Sequence, residues 1–228
     1  MVTIRSLKKT TILLLITTLT ISLGASLSDD DWNSPNSGET FQNGDIITFN
    51  VTNTDNAPSI NFSVNSGYLI KNNTGVENKK YVTSQVTVGS RFSSGQYTVT
   101  AEASNGSDIQ RDFTVDKGVG SISFQSTPSY VGSDATITVE VSDSLSGVSS
   151  ISASATNGAS VEVDNNCDGS ESCSADITID TSGLDQGSQF DLEVTAEDSV
   201  GNTDSKEIQD ITFDSKWDGD ESASVEWA

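Results

Sequence analysis

YTVTAEASNG at residues 97–106 and LEVTAEDSVGN at residues 192–202 are two versions of one line, and each runs on into a strand-like ending, FTVD at 113–116 and ITFD at 211–214. Inside the echo apolar and polar residues alternate, with Tyr97, Val99 and Ala101 answering Leu192, Val194 and Ala196. A period of two places such residues on one face of a strand. Repetition about one domain-length apart then predicts two copies of a single β-sandwich in tandem.

Working outward, the second copy spans 118–214, with strands expected at 120–124, 135–142, 148–155, 160–163, 176–180, 190–197 and 207–213. Its inner faces carry Ile137, Val139 and Val141, then Ile151, Ala153 and Ala155. Thr138, Glu140, Glu193, Thr195 and Glu197 face water. The first copy spans 36–117, with strands expected near 39–42, 45–53, 58–64, 67–71, 80–88, 96–103 and 109–115. Phe49 and Val51 correspond to Val139 and Val141. Lys117-Gly118-Val119-Gly120 is the join, short enough to set the sandwiches end to end as a stalk-like rod.

Residues 1–25 read as a signal peptide: Arg5, Lys8 and Lys9 precede an apolar run from Ile12 to Gly24, with Ala25 at the cut. An uncleaved anchor is the alternative, but the run is threonine-diluted and shorter than the roughly 20 residues that span a bilayer. The chain of 228 residues has a net charge of −22, and without 1–25 it keeps 33 acidic residues against eight basic ones. The acids are spread over both copies. Molar salt shrinks the Debye length to about 3 Å and makes such a surface tolerable, so the composition predicts a high-salt solvent. Nucleic acid and anionic lipid are poor partners for such a surface, so no nucleic acid is expected, and with no second apolar segment downstream no membrane insertion of the mature chain is expected.

SDSLSGVSSISASATNG (142–158) and TAEDSVGNTDS (195–205) resemble the third-strand and penultimate-hairpin signatures of Ig-like domains in bacterial and archaeal surface proteins. The resemblance covers most of 120–214 and, more loosely, 37–117. It implies an all-β fold of two tandem Ig-like β-sandwiches of about seven strands each, in Greek-key order. SGQY at 94–97 also resembles a tyrosine corner, in which the Tyr97 phenol bonds the backbone; Leu192 replaces it in the second copy.

The chain has no histidine, which removes the usual general base and the Ser-His and Cys-His nucleophile pairs. No enzyme is expected. Cys167 and Cys173, the only cysteines, read as a local disulfide in a secreted chain. Overlapping them, Asp164, Asn166, Asp168, Ser170 and Glu171 form an alternating oxygen string with Gly169 at the turn, a pattern that wraps calcium. No Glu stands at the twelfth position, where Ala175 sits, so an ordinary turn is the competing reading. A second candidate combines Asp143, after the second strand, with Asp198 and Asn202 of the last hairpin, where sandwich-end loops meet. Four N-x-[ST] triplets, at Asn50, Asn61, Asn72 and Asn105, are candidate glycosylation acceptors, all in the first copy.

The functional expectation is a secreted, non-enzymatic cell-surface protein that works in adhesion or structural display in high salt, with a cell-surface protein or a glycan as partner. No cofactor is required, and calcium is the candidate ion. One alternative is a carbohydrate-binding accessory module, which calls for a row of exposed aromatics; Trp32, Tyr68, Tyr81 and Tyr130 are the candidates. Another is a filament subunit that self-associates by strand addition through the acidic tail 215–228, where Val225 and Trp227 alternate with Glu226.

Overall fold

Alternation and short polar turns give an all-β fold. The structure, a computed structural model, describes residues 26–216 apart from 55, 66, 67 and 134. The expected signal peptide and tail residues 217–228, with the filament reading that depends on them, lie outside the described residues. No helix among the described residues is long and apolar enough to cross a membrane.

The first sandwich is built from β1 (Trp32–Ser34), β2 (Glu39–Phe41), β3 (Ile46–Thr52), β4 (Ser59–Val64), β5 (Tyr68–Thr74), β6 (Tyr81–Thr87), β7 (Gly95–Ala103) and β8 (Asp108–Val115). One sheet runs β1-β3-β6 and the other β2-β8-β7-β4-β5. The second sandwich comprises β9 (Ser121–Phe124), β10 (Tyr130–Val131), β11 (Ala135–Ser142), β12 (Val148–Ala155), β13 (Ser160–Asn165), β14 (Ser172–Asp180), β15 (Gln189–Asp198) and β16 (Thr203–Phe213). Its sheets run β13-β14-β11-β9 and β10-β16-β15-β12. Both are Ig-like β-sandwiches. Each has eight strands rather than seven: the addition is β1, antiparallel to β3, in the first and β10, parallel to β16, in the second, and β2 likewise pairs parallel with the last strand of its own sandwich, β8. The two copies also part company at the fifth strand: β5 pairs with β4, whereas its counterpart β13 pairs with β14 in the opposite sheet.

The alternation read from sequence is the alternation observed. Ile137, Val139, Val141, Ile151, Leu192, Val194 and Ala196 are buried, Ala153 and Ala155 half-buried, and Glu140, Glu193 and Glu197 exposed. Each sandwich has its own core and shares none of it with the other. The first core is aromatic: Phe49 stacks on Phe62, and both Phe49 and Phe41 meet Phe113 edge-on. Trp32 packs edge-on against Phe62 in the same core and is only 8% exposed, which removes it from the surface aromatics expected of a sugar platform. Its indole Nε1 donates to the Pro35 carbonyl. Since Leu27 is buried there too, the first sandwich begins ahead of residue 36. At the start of β7, in the five-stranded sheet, the Tyr97 hydroxyl donates to the Ser93 carbonyl and accepts from the Ser93 N–H, both at 3.0 Å, a tyrosine corner.

Candidate functional site

The oxygen string at 164–171 begins inside a strand, β13, rather than in a loop. Asp164 belongs to β13, opposite Asp176 of β14, and strand geometry directs its successors to alternate faces. Asp164, Asn166, Asp168, Ser170 and Glu171 are all exposed. The Ser170 carbonyl, one of the expected ligands, accepts the Val148 N–H at 2.8 Å. Asp168 is held below the usual carboxylate range by hydrogen bonds from the Ser170 hydroxyl and N–H. A Cys167–Cys173 disulfide closes the loop, as expected.

That loop instead buttresses its neighbour. The Glu171 carbonyl accepts the Asp143 N–H at 2.8 Å, and Gly169 N–H donates to the Val148 carbonyl at 3.0 Å. Gly147 makes the approach feasible: a Cβ there would stand 2.0 Å from the Gly169 carbonyl oxygen, and its φ of +81° favours glycine. The disulfide therefore fixes the turn against which the β11–β12 loop, and Asp143 with it, is laid.

Asp143 and Asp198 do come together, as the second candidate site anticipated, and the structure adds a third acid, Asp116, from the strand-like ending FTVD of the first copy. Asp116, the first residue after β8, offers a carboxylate oxygen within 4.8 Å of one from each of Asp143 and Asp198. The three are 1%, 2% and 1% exposed. Each owes its position to local backbone bonds. Asp116 N–H extends the β2–β8 ladder to the Phe41 carbonyl, 2.8 Å, and its Oδ1 accepts the Gly118 N–H, 3.4 Å. Asp143 Oδ1 accepts from Leu145 N–H and Ser146 N–H at 2.8 and 3.0 Å. Asp198 Oδ1 closes the last hairpin on Val200 N–H and Asn202 N–H, and its Oδ2 accepts the Asn202 side-chain amide at 2.6 Å.

What remains after those bonds is unusual. Asp116 Oδ2 and Asp143 Oδ2 are buried, satisfied by no well-formed hydrogen bond, and the Ser146 hydroxyl lies beside them. Unpaired buried polar atoms are rare in folded proteins and carry the full cost of lost hydration. Burial is the largest influence on Asp116 and raises its pKa; the neighbouring Ser146 hydroxyl and Gly118 N–H lower it, while Asp143 and Asp198, both of its own sign, raise it. Lys117, next in sequence, turns its amine to the Gly89 carbonyl. Two negative charges 4.8 Å apart repel by about 3.5 kcal/mol at an effective dielectric near 20. Such a trio is relieved either by a proton or by a cation, and its hard oxygen donors suit calcium or magnesium. A cleft of about 330 Å³ between Ser94 and Lys117 on one side and Ser144 and Leu145 on the other opens beside Asp116 and Asp143.

The four sequons divide by exposure. Asn72 lies exposed on the edge strand β5, and Asn105 is exposed in the β7–β8 turn. Asn50 and Asn61 sit on the outer faces of the interior strands β3 and β4, half-buried, and the side-chain oxygen of each is enclosed without a partner. Of the proposed sugar-platform aromatics, Tyr81 and Tyr130 are 49% and 45% exposed and stand on different sandwiches.

Fold and junction together define a tandem Ig-like β-sandwich protein. No family model and no curated protein matches the chain. Among solved structures it is similar to the IG1+IG2 pair of DIP-gamma, at 12% identity over 80% of this chain and 96% of that one, with a TM-score of 0.44. It is also similar to the titin I-band fragment I67–I69, at 14% identity over 80% and 64% of the two chains, TM-score 0.40. The fibronectin(III)-like modules of Clostridium thermocellum CbhA match at 26% identity over 37% of this chain and 91% of theirs, TM-score 0.28.

Proposed function

We propose that this protein is a non-enzymatic, extracellular surface protein that acts in adhesion or structural display, holding two Ig-like modules in line in a high-salt medium. The observation that carries the reading is the locked junction. Four hydrogen bonds fix the linker: Asp116 N–H to Phe41, Lys117 N–H to the Ser94 hydroxyl, Gly118 N–H to Asp116, and the Asn202 amide to the Asp116 carbonyl. A joint bonded this way transmits position from one module's loops to the other's, which display requires and catalysis does not. The disulfide suits an oxidising compartment, and the excess of 33 acidic over 11 basic residues suits strong salt. The exposed Asn72 and Asn105 suit glycan attachment on the first module.

A sugar-binding accessory module is the weaker reading, because Tyr81 and Tyr130 stand on separate sandwiches and Trp32 is in the core. Chemical cross-linking on intact producing cells in their native salt, followed by mass spectrometry, tests the proposal. It predicts adducts to a surface-layer protein or a surface glycan. Recovery of the chain solely as a free monomer in the medium contradicts it.

A further inference from the structure

The two copies provide an internal comparison at their equivalent ends. In the register that equates Val51 with Val141 and Ala101 with Ala196, Asp143 corresponds to Asn53 and Asp198 to Ala103. Asn53 is buried like Asp143, but it is neutral and fully engaged: its Oδ1 accepts the Ala57 N–H at 2.9 Å, and its amide donates to the carbonyls of Ala57 and Val76 at 3.1 and 2.8 Å. One end of the first module is thus closed by neutral bonds. The same end of the second module, where it abuts the first, carries two acids in those places and receives a third from the linker. The turn architecture does not require the charge, since Asn53 occupies it without one.

Two carboxylate oxygens there, Asp116 Oδ2 and Asp143 Oδ2, are buried and unpartnered on side chains almost wholly removed from solvent. Ligand oxygens on opposite sides of a calcium ion, at about 2.4 Å each, stand about 4.8 Å apart. One carboxylate oxygen from each of Asp116, Asp143 and Asp198 falls inside that span. From these observations we propose that the junction is a calcium site, in which Asp116 of the linker and Asp143 and Asp198 of the second module share one ion that clasps the two modules together. Calcium is favoured over magnesium because it accepts several carboxylates with its water removed, whereas magnesium keeps most of its hydration shell and calls for a roomier, wetter site. The clasp is independent of whatever the modules recognise.

Calorimetric titration of the full chain with calcium chloride, at constant high sodium chloride, tests it alongside Asp116→Asn, Asp143→Asn and Asp168→Asn. Both junction variants keep the Oδ1 that accepts their turn N–H groups. The wild type binds one calcium per chain, each junction variant binds at least about tenfold more weakly, and Asp168→Asn binds as the wild type does. Thermal unfolding supplies a second readout. In chelator the junction variants melt at or above the wild type, because a buried like charge is gone; in calcium they melt below it. The proposal is overturned by a wild type with no saturable calcium binding, by junction variants that bind unchanged, by loss of binding in Asp168→Asn, or by magnesium binding as tightly as calcium. Junction variants that melt below the wild type in chelator also contradict it.

Discussion

Asn202 donates its side-chain amide to the main-chain carbonyl of Asp116 at 3.2 Å, across 86 residues of sequence, and the same amide donates to Asp198 Oδ2 at 2.6 Å. One side chain thus ties the last hairpin of the second module to Asp116, just past β8, and hydrogen-bonds the nearest carboxylate. Close by, a Cβ at Gly201 would lie 3.9 Å from Gln42 Oε1, so the hairpin reaches the first module's end directly.

Asn202→Ala removes both bonds and is expected to cost about 1–2 kcal/mol, the range for a hydrogen bond that leaves a buried charged partner behind. Asn202→Asp is expected to be worse in chelator, since it adds a fourth negative charge. Thermal unfolding in constant salt checks the order wild type, Ala, Asp.

The disulfide closes a loop of seven residues, Cys167 to Cys173, and its removal by double Ser substitution is expected to lower stability by about 2 kcal/mol on the chain-entropy estimate. The loss belongs to the second module. Hydrogen exchange checks its location: the amide of Asp143, bonded to the Glu171 carbonyl in that loop, gains exchange, while that of Val51 in the first core does not.

Acidity should act on the two kinds of shifted carboxylate in opposite senses. Asp116 has a folded pKa raised above its ordinary 3.8 by burial and by its acidic neighbours, so the folded state gains as Asp116 takes up a proton. Asp168, Asp180 and Asp214 are held below 3.8 by hydrogen bonds, and their contribution, present above 3.8, is lost as pH falls through their folded values. In chelator, stability therefore rises as pH falls from neutral toward the raised pKa of Asp116, and falls again below 3.8. Melting curves across that range check the maximum, and Asp116→Asn is expected to abolish the rise while keeping the fall.

Much of this fold was legible because burial enforces alternation. The limits of β11 and β12 were read without error at 135–142 and 148–155, where an inward row such as Ile137, Val139 and Val141 leaves no other register. Strands of two or three residues offer no such row, so β1 and β10 went unseen, and Trp32 looked like a surface aromatic. The switch of β5 to the sheet opposite that of β13 is set by tertiary pairing and has no local mark. The junction was half-legible. Asp143, Asp198 and Asn202 stand in turn-forming strings that point to sandwich-end loops, but Asp116 lies in VDKGVG, indistinguishable in sequence from a solvated linker. One signal for it existed: FTVD is echoed by ITFD, and Asp214 N–H bonds the Val131 carbonyl just as Asp116 N–H bonds that of Phe41. The oxygen string at 164–171 starts within β13, whose ladder takes Asp164, a pairing with no local mark in an Asp-rich chain that produces such strings freely.

Exposure orders the sequons. Glycans are expected at Asn72 and Asn105 and not at Asn50 or Asn61, whose interior-strand positions leave no approach for a transferase without unpairing β3 or β4. Peptide mapping of the protein isolated from its producing cells checks the occupancy of each.

On the proposed function, the junction makes one body of two modules. Residual dipolar couplings of amides in both sandwiches, measured on the same sample in high salt with calcium, test it most directly. A single alignment tensor fitting β3, β4 and β7 together with β11, β14 and β15 is the predicted result; two tensors of different magnitude, one per module, would contradict it.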